Sequence, residues 1–242
     1  MLAIRAQRAF TRPKEEGRAC EDVILGCRAR GCYAVSDGAS VSYDSRGWAR
    51  ALCRQFVADA RPGVDWLYQA RDRFAARSAP AADDWAAAHA ADRGSFATFL
   101  GIAISESRIV VHAIGDTALF VIATDGAIRM IPELAGEDFR RDPVLLCSHP
   151  WRGAFDDTDA AFAAAEITLD APPDGWAGTR LLAMTDALAE FVANAADAAG
   201  QLARLEEMAR PQNGESFCQW AGEAIAAGRI RHDDCALLTL LL

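Results

Sequence analysis

The 242 residues carry a formal net charge of −9, with 52% hydrophobic and 24% charged residues. This length suits one domain with a core of its own, so we expect a single domain over residues 1–242. The acidic balance excludes the basic footprint of nucleic-acid-binding proteins. No apolar run reaches the roughly 18 to 20 residues that span a bilayer, and no signal-peptide core is present, which predicts a cytoplasmic protein without membrane segments.

Short apolar strands and amphipathic helices alternate in the first half of the chain. Residues 22–28 and Cys32–Ser36 are rich in β-branched and aromatic residues around Gly31, which predicts a pair of strands. Helical spacing of apolar residues or a high alanine content predicts three helices, at 47–60, 65–78 and 83–93. Further strands are predicted at 96–104, 108–114, 118–123 and 128–131, the last two joined by a hairpin at 124–126.

A long irregular stretch opens the second half. Residues 132–165 carry proline, glycine and acidic residues with little periodicity, which predicts a flap-like surface segment. Its aromatic residues Phe139, Trp151 and Phe155 either line a docking surface or pack the domain. Further elements are predicted as strands at 166–169, 180–184 and 235–242 and as helices at 188–194, 195–208 and 216–227. Strands at both ends with helices grouped between them predict an α+β fold with two antiparallel sheets covered by helices.

Acidic residues stand at five places where a predicted strand ends or a helix begins. These are Glu21-Asp22, Asp37-Gly38, Gly115-Asp116, Thr185-Asp186 and Asp233-Asp234. Each alone is also explained as a helix cap or a turn former. If the fold gathers them within about 5 Å, each like-charged pair costs roughly 3 kcal/mol at an effective dielectric of 20, so the cluster needs cations. Carboxylates with the carbonyl of Gly38 form an all-oxygen site that suits Mg²⁺ or Mn²⁺.

The order of these motifs resembles that of the metal-dependent protein phosphatases of type 2C, in a bacterial variant. The segments are CED at 20–22, AVSDGAS at 34–40, GDTALF at 115–120, MTDALAEF at 184–191 and HDDCALLTLLL at 232–242. The resemblance covers almost the whole chain and implies a four-layer α-β-β-α sandwich with two antiparallel sheets. It also implies a serine/threonine phosphatase in which two cations activate a water for attack on phosphorus, without a covalent intermediate.

The resemblance assigns individual residues to this centre. It implies that Asp37 bridges two tightly bound Mn²⁺ or Mg²⁺ ions and that Glu21 acts largely through water. The Gly38 carbonyl, Asp186 and Asp233 complete this set, in which the catalytic residues are Asp37, Asp186 and Asp233. In some family members a third, weaker cation is bound by residues that correspond to Asp116, Asp186 and Glu190. The spacing of four residues places Asp186 and Glu190 on one helical face.

Two positions depart from the family pattern. Ala39 stands where mammalian members have a histidine that can act as a proton donor. Gly17 stands where many members have an arginine that holds the substrate phosphate, which leaves Arg18 and Arg12 as candidates. Both arginines are equally explained as solvated surface charges.

The expected substrate is a phosphoprotein, the target of a serine/threonine kinase. One alternative is a catalytically weak relative that binds phosphoproteins, although such a relative would have lost metal aspartates and none is lost here. Another is a phosphomonoesterase acting on a small molecule, because a fold alone does not fix the substrate.

Overall fold

A computed structural model describes residues 4–80, 84–150, 152–210 and 214–242. Within these residues, the strands form two five-stranded antiparallel sheets and a two-stranded one. The first sheet has the order β1 (Ala6–Arg12), β12 (Cys235–Leu241), β11 (Arg180–Met184), β7 (Ala118–Ile122) and β8 (Ile128–Ile131). The second has the order β10 (Glu166–Asp170), β6 (Arg108–Ile114), β5 (Phe99–Ile104), β3 (Cys32–Ser36) and β2 (Val23–Cys27). The small sheet pairs β4 (Phe96–Ala97) with β9 (Leu146–Cys147).

Helices lie in two groups along the described chain. The first group precedes β4 and contains α1 (Ser45–Ala58), α2 (Val64–Ala75) and α3 (Trp85–Arg93). A short helix, α4 (Asp159–Ala164), precedes β10, and the second group contains α5 (Asp186–Ala193), α6 (Ala198–Met208) and α7 (Glu215–Ala226). Short 3-10 turns occur at Arg28–Arg30 and Asp138–Arg140.

Three layers of buried side chains hold these elements in a four-layer sandwich. Residues such as Tyr33, Leu100 and Leu238 fill the space between the two large sheets. The outer face of the second sheet packs against α1 and α2, and that of the first sheet packs against α5, α6 and α7. Since both faces of each sheet are covered, a central strand such as β7 is buried at every position. The predicted α-β-β-α sandwich of the α+β class is thus confirmed.

Several elements differ from the sequence-based expectation. The strand β1 was not predicted. It is only half-buried, and its sequence AQRAFTR carries two arginines and no continuous apolar run. The strand predicted at 96–104 is interrupted at Thr98, which separates β4 from β5.

The segment 132–165 contains more regular structure than its sequence indicates. It includes β9 and α4, and Phe139 is buried in the core formed with α5 and α6. Phe155 packs on Phe162 with ring centroids 4.9 Å apart, so both aromatic residues pack the domain. Trp151 lies outside the described residues. The assignment of residues 132–165 as a flap-like segment stays a prediction.

Membrane-spanning helices were not expected. Among the helices that the structure describes, none is both long and apolar enough to cross a membrane.

Arg71 on α2 fastens the segment around β9 to the helical layer. Its buried guanidinium donates from Nε and Nη2 to the carbonyl oxygen of Cys147, at 3.1 and 3.0 Å. It also forms an ion pair with Asp157, with Nη2 2.7 Å from the carboxylate oxygen. A buried charge pair with these backbone bonds leaves both a carboxylate and a carbonyl unsatisfied when the arginine is removed.

We expect Arg71→Met to lower the free energy of unfolding by about 3 to 5 kcal/mol, the usual cost of breaking a buried ion pair. The matched control is Arg73→Met on the same helix, whose exposed side chain should change stability by no more than about 0.5 kcal/mol. Urea unfolding of both variants measures the difference. Equal effects of the two substitutions would show that Arg71 does not fasten this segment.

Candidate metal centre

The β2–β3 hairpin brings two of the acidic motifs together. Val23 pairs with Ser36 at the open end of this hairpin. Asp22 precedes Val23 and Asp37 follows Ser36, so the two aspartates are neighbours where both strands leave the sheet. The far end of the hairpin, at Gly31, lies at the opposite side of the sandwich.

The other acidic motifs leave the sheets at the same end. Met184, the last residue of β11, pairs with Leu237 on one side and with Ala118 on the other. Asp186 follows β11, Asp116 precedes β7, and Asp233-Asp234 precedes β12. All five motifs therefore meet at one end of the sandwich.

Hydrogen bonds from Thr98 fix the backbone of Asp37. The amide of Asp37 donates to Thr98 Oγ1 at 3.0 Å, and its carbonyl accepts from the amide of Thr98 at 2.9 Å. Thr98 Oγ1 is in turn 2.7 Å from Thr117 Oγ1, in the turn that carries Asp116. The interruption of the predicted strand at Thr98 thus serves to hold two of the acidic loops together.

Gly38 is required because α1 begins against it. A Cβ atom at this position would lie 2.8 Å from the carbonyl carbon of Ser45 and 2.9 Å from its oxygen. Ser45 Oγ donates to Glu21 Oε1 at 2.7 Å, so the close approach also positions a further acid of the site. Any side chain at residue 38 would displace the start of the helix.

Three carboxylates from different loops form the centre of the cluster. Asp37, Asp116 and Asp186 each place one carboxylate oxygen within 4.8 Å of the others. Burial raises the pKa of Asp37 to about 7, and repulsion from Asp116 and Asp233 acts in the same direction. Burial also raises the pKa of Asp116. Without a cation, the surroundings of these carboxyl groups therefore oppose their ionisation.

Glu21 is held in its charged form at one side of the cluster. Burial alone would raise its pKa, but hydrogen bonds from Ser40 and Ser45 and the ammonium group of Lys14 lower it. A carboxylate kept ionised in this way can act on a bound cation or water.

Asp186 and Glu190 share one positively charged side chain of the protein, that of Arg231. They lie one turn apart at the start of α5, and the guanidinium of Arg231 forms ion pairs with both. Arg231 also approaches Asp233, with Nη2 3.8 Å from the carboxylate. The acids that the resemblance assigns to a third cation and to a dinuclear pair are thus linked through one arginine.

Two further aspartates, which stand in the acidic motifs but received no individual role from the resemblance, complete the surroundings of the cluster. Asp22 is buried, accepts a hydrogen bond from Thr185 Oγ1 at 2.8 Å, and has its pKa raised well above the ordinary value by burial and by Asp37. Asp234 is also buried and accepts from the backbone amides of Lys14 and Glu21. Asp22 and Asp234 lie in the motifs CED and HDD, so the sequence already marked both positions.

Lys14 is the third residue that the sequence analysis missed. Its Nζ lies 3.4 Å from Glu21 Oε2 and 3.5 Å from Asp233 Oδ1. These carboxylates and Asp234 raise the lysine pKa, although burial acts to lower it. A single lysine in the segment RPKEEG gives no pattern from which this placement could be predicted.

The two candidate arginines have other partners in the described structure. Arg18 has a side chain 74% exposed and pairs with Glu15, with its Nε 2.6 Å from the carboxylate. The guanidinium of Arg12 lies against Gly222 on α7 and donates to the carbonyl of Pro13. Within the described chain neither forms an ion pair with a carboxylate of the cluster, whereas Lys14 does. The role of either arginine at the substrate phosphate stays a prediction.

The donor set fits hard divalent cations. It consists of carboxylate and carbonyl oxygens, the ligands that Mg²⁺ and Mn²⁺ prefer. One buried carboxylate oxygen of Asp22 and one of Asp116 lack a hydrogen-bond partner in the described structure. Unsatisfied buried carboxylate oxygens in a like-charged group are what a bound cation would compensate.

Comparisons with known proteins agree with this geometry. The family model described as protein phosphatase 2C matches residues 11–225. No curated protein sequence matches the chain. Similar solved structures include the catalytic domain of the serine/threonine protein phosphatase PstP in complex with two manganese ions (16% identity, 98% of this chain and 97% of that chain, TM-score 0.57). Others are PstP/Ppp of Mycobacterium tuberculosis (18% identity, 98% of both chains, TM-score 0.57) and PppA of Pseudomonas aeruginosa, a regulatory component of T6SS (17% identity, 98% of both chains, TM-score 0.56).

We expect the metal-free protein to lose stability as the pH rises through the folded-state pKa of Asp37. This pKa, about 7, lies above the ordinary 3.8, so the folded state binds the proton more tightly than the unfolded state. The resulting stabilisation is complete below about pH 4 and is lost as the pH approaches 7. Replacement of Asp37 by asparagine should flatten this dependence and raise the melting temperature at pH 8.

Thermal unfolding in a chelator between pH 5 and 8 measures this effect. Asp174→Asn, in an exposed turn, is the control and should keep the wild-type slope. A slope for Asp37→Asn as steep as that of the wild type would contradict the electrostatic account.

Proposed function

This chain belongs to the protein phosphatase 2C family, and we propose that it removes phosphate from phosphoserine or phosphothreonine of proteins with the help of bound divalent cations. The observation that carries the proposal is the meeting of Asp37, Asp116 and Asp186 within 4.8 Å at the end of the sandwich. Three separate loops contribute these residues, so their convergence is a property of the fold and not of one local motif.

We assign two tight cation sites to the residues around Asp37. Asp37, Glu21, the Gly38 carbonyl, Asp186 and Asp233 would hold these two cations. Asp116, Asp186 and Glu190 would hold a third cation more weakly. The assignment is supported by the raised pKa of Asp37 and by the unpartnered oxygen of Asp116. When bound, Mn²⁺ or Mg²⁺ supplies an activated water and neutralises the phosphate oxygens.

The chain's own residues hold this arrangement in place before any ligand arrives. Thr98 fixes the backbone of Asp37, and Thr185 Oγ1 donates to Asp22 while accepting from the amide of Ala236 at 2.9 Å. Such preorganised groups need little rearrangement when charge develops on the reacting phosphate.

Lys14 is our candidate for the residue that binds the substrate phosphate. Its ammonium group lies between Glu21 and Asp233, and its side chain is 23% exposed. It is therefore a positive charge that borders both the carboxylates and the solvent. A phosphate dianion that approaches the cluster meets this charge, which opposes the repulsion from the remaining acids.

We propose phosphoproteins as substrates because the family acts on them, and specifically proteins phosphorylated by a serine/threonine kinase. A small phosphorylated metabolite is the competing substrate class. Parallel assays with phosphoserine peptides and phosphorylated metabolites separate the two.

Hydrolysis of phosphopeptides should require Mn²⁺ or Mg²⁺ and should cease in EDTA. Asp37→Asn and Asp233→Asn should each remove nearly all turnover, since each replaces a charged ligand by a neutral one of equal size. Calorimetric titration with Mn²⁺ should show weaker binding to both variants, and metal at 100 times its Kd should stabilise the wild type by about 2.7 kcal/mol. Asp174→Asn serves as the control. Full activity in EDTA would refute the proposed chemistry.

Lys14→Met should lower kcat/KM for phosphopeptides by about a hundredfold, as expected for loss of a charged group that contacts the phosphate. Its affinity for Mn²⁺ should not decrease, because a positive charge is removed from beside the carboxylates. Arg18→Met should leave both quantities at the wild-type level. Weaker Mn²⁺ binding by Lys14→Met would instead assign Lys14 a structural role at the metal centre.

A further inference from the structure

A groove of about 880 Å³ opens directly from the metal centre. Asp116, Asp186 and Glu190 line one part of it, so a substrate whose phosphate reaches these carboxylates has its neighbouring residues at the groove. The remaining walls are formed by residues 139–143, by the exposed side of α5 and by residues 228–231.

Four arginines line this groove. They are Arg140, Arg141, Arg229 and Arg231. Arg231 is engaged by the carboxylates of the centre, and Arg141 pairs with Asp138 at 3.2 Å. Arg140 and Arg229 are exposed and, among the described residues, have no carboxylate within 4.0 Å. Outside the metal centre, Asp142 is the one acid among the described residues that line the groove.

The arginine-bearing walls are anchored to the fold. Phe139, which precedes Arg140, is buried in the core with α5 and α6. Its carbonyl oxygen accepts a hydrogen bond from Arg231 at 3.3 Å, which ties the first arginine wall to the second. Ile230, between Arg229 and Arg231, is also buried. The positive charges are therefore carried on fixed backbone.

The groove places arginine side chains directly beside the carboxylates of the metal centre. The protein carries a net charge of −9, so an acidic substrate is repelled by most of its surface. The guanidinium groups of Arg140 and Arg229, which have no carboxylate partner among the described residues, oppose this repulsion locally and offer paired donors that match carboxylate or phosphate oxygens.

We propose that this groove selects phosphoprotein segments in which a carboxylate or a second phosphate lies close to the phosphorylated residue, with Arg140 and Arg229 as the selecting residues. The inference rests on the proposed function, since it names the substrate class of the same site. It predicts that acidic neighbours improve substrate binding more than they improve the chemical step.

Phosphoserine peptides of equal length test this proposal. One set carries glutamate at single positions from four residues before to four residues after the phosphoserine, and the matched set carries glutamine. The wild type should favour glutamate at one or two positions by about tenfold in kcat/KM, mainly through a lower KM, and added salt should weaken the preference. If glutamate is not preferred over glutamine at any position, the proposal is overturned.

The double variant Arg140→Gln/Arg229→Gln should reduce the preference to within about twofold while keeping the melting temperature and the turnover of an aryl phosphate. The control Arg73→Gln/Arg77→Gln removes the same charge from exposed arginines on and just after α2, in a cleft that shares no lining residue with this groove, and should keep the preference. Retention of the preference by the Arg140/Arg229 variant would assign selection to other residues and overturn the proposal.

If the proposed function is wrong, neither the wild type nor any variant hydrolyses the aryl phosphate. Fluorescence anisotropy of labelled peptides on the Asp233→Asn protein then measures the same glutamate preference without turnover. If Asp233→Asn protein binds the glutamate peptides more tightly and the added Arg140→Gln/Arg229→Gln substitutions abolish this difference, the groove proposal is supported. Equal binding of glutamate and glutamine peptides refutes it.

Discussion

Repulsion among the buried carboxylates at the shared end of the two sheets opposes folding, and the rest of the structure overcomes it. Asp22, Asp116, Asp186 and Asp234 are each less than a tenth exposed. Asp37, Asp116 and Asp186 place carboxylate oxygens within 4.8 Å of one another, and two like charges at about 5 Å repel by roughly 3 kcal/mol at an effective dielectric of 20. The three apolar layers supply the stabilisation that outweighs this cost. Cations that bind the native state stabilise it further.

Two side chains compensate part of this charge within the protein. Lys14 contacts Glu21 and Asp233, while Arg231 contacts Asp186, Glu190 and Asp233. Asp233 is thus shared between a lysine that precedes the first acidic motif and an arginine that precedes the last. The electrostatics of the centre therefore depend on residues outside the motifs that define the family.

The strands and helices of the sandwich were largely predictable because both faces of the sheets are buried. Continuous apolar runs such as FLGIAI and ALFVI mark central strands whatever their partners. The edge strand β1 was not predictable in this way, since its alternating, arginine-containing sequence is also typical of a solvated segment. The short strand β9 and the helix α4 depend on tertiary contacts, such as the hydrogen bonds of Arg71, that leave no periodic pattern.

The acidic residues were predictable from motif order, and the basic ones were not. The position relative to the motif glutamate holds Gly17, which left its neighbour Arg18 as a candidate, and in the structure Arg18 bonds to Glu15 through both backbone and side chain. Lys14 reaches the site because its amide donates to Asp234, a contact 220 residues away along the chain. Single-residue spacing contains no information about such a contact.

The pairing of β1 with β12 has a consequence for how the molecule can be handled. Arg12 pairs with Cys235 beside the acidic end, whereas Ala6 pairs with Leu241 at the opposite end. A fusion partner or a surface attached near residue 4 or residue 242 therefore leaves the reactive face open to large substrates. The two attachment points also lie side by side, so a short linker would close the chain into a ring. New ends opened in the hairpin at 124–126 would again lie away from the carboxylates, and a circular permutant would retain every residue of the centre.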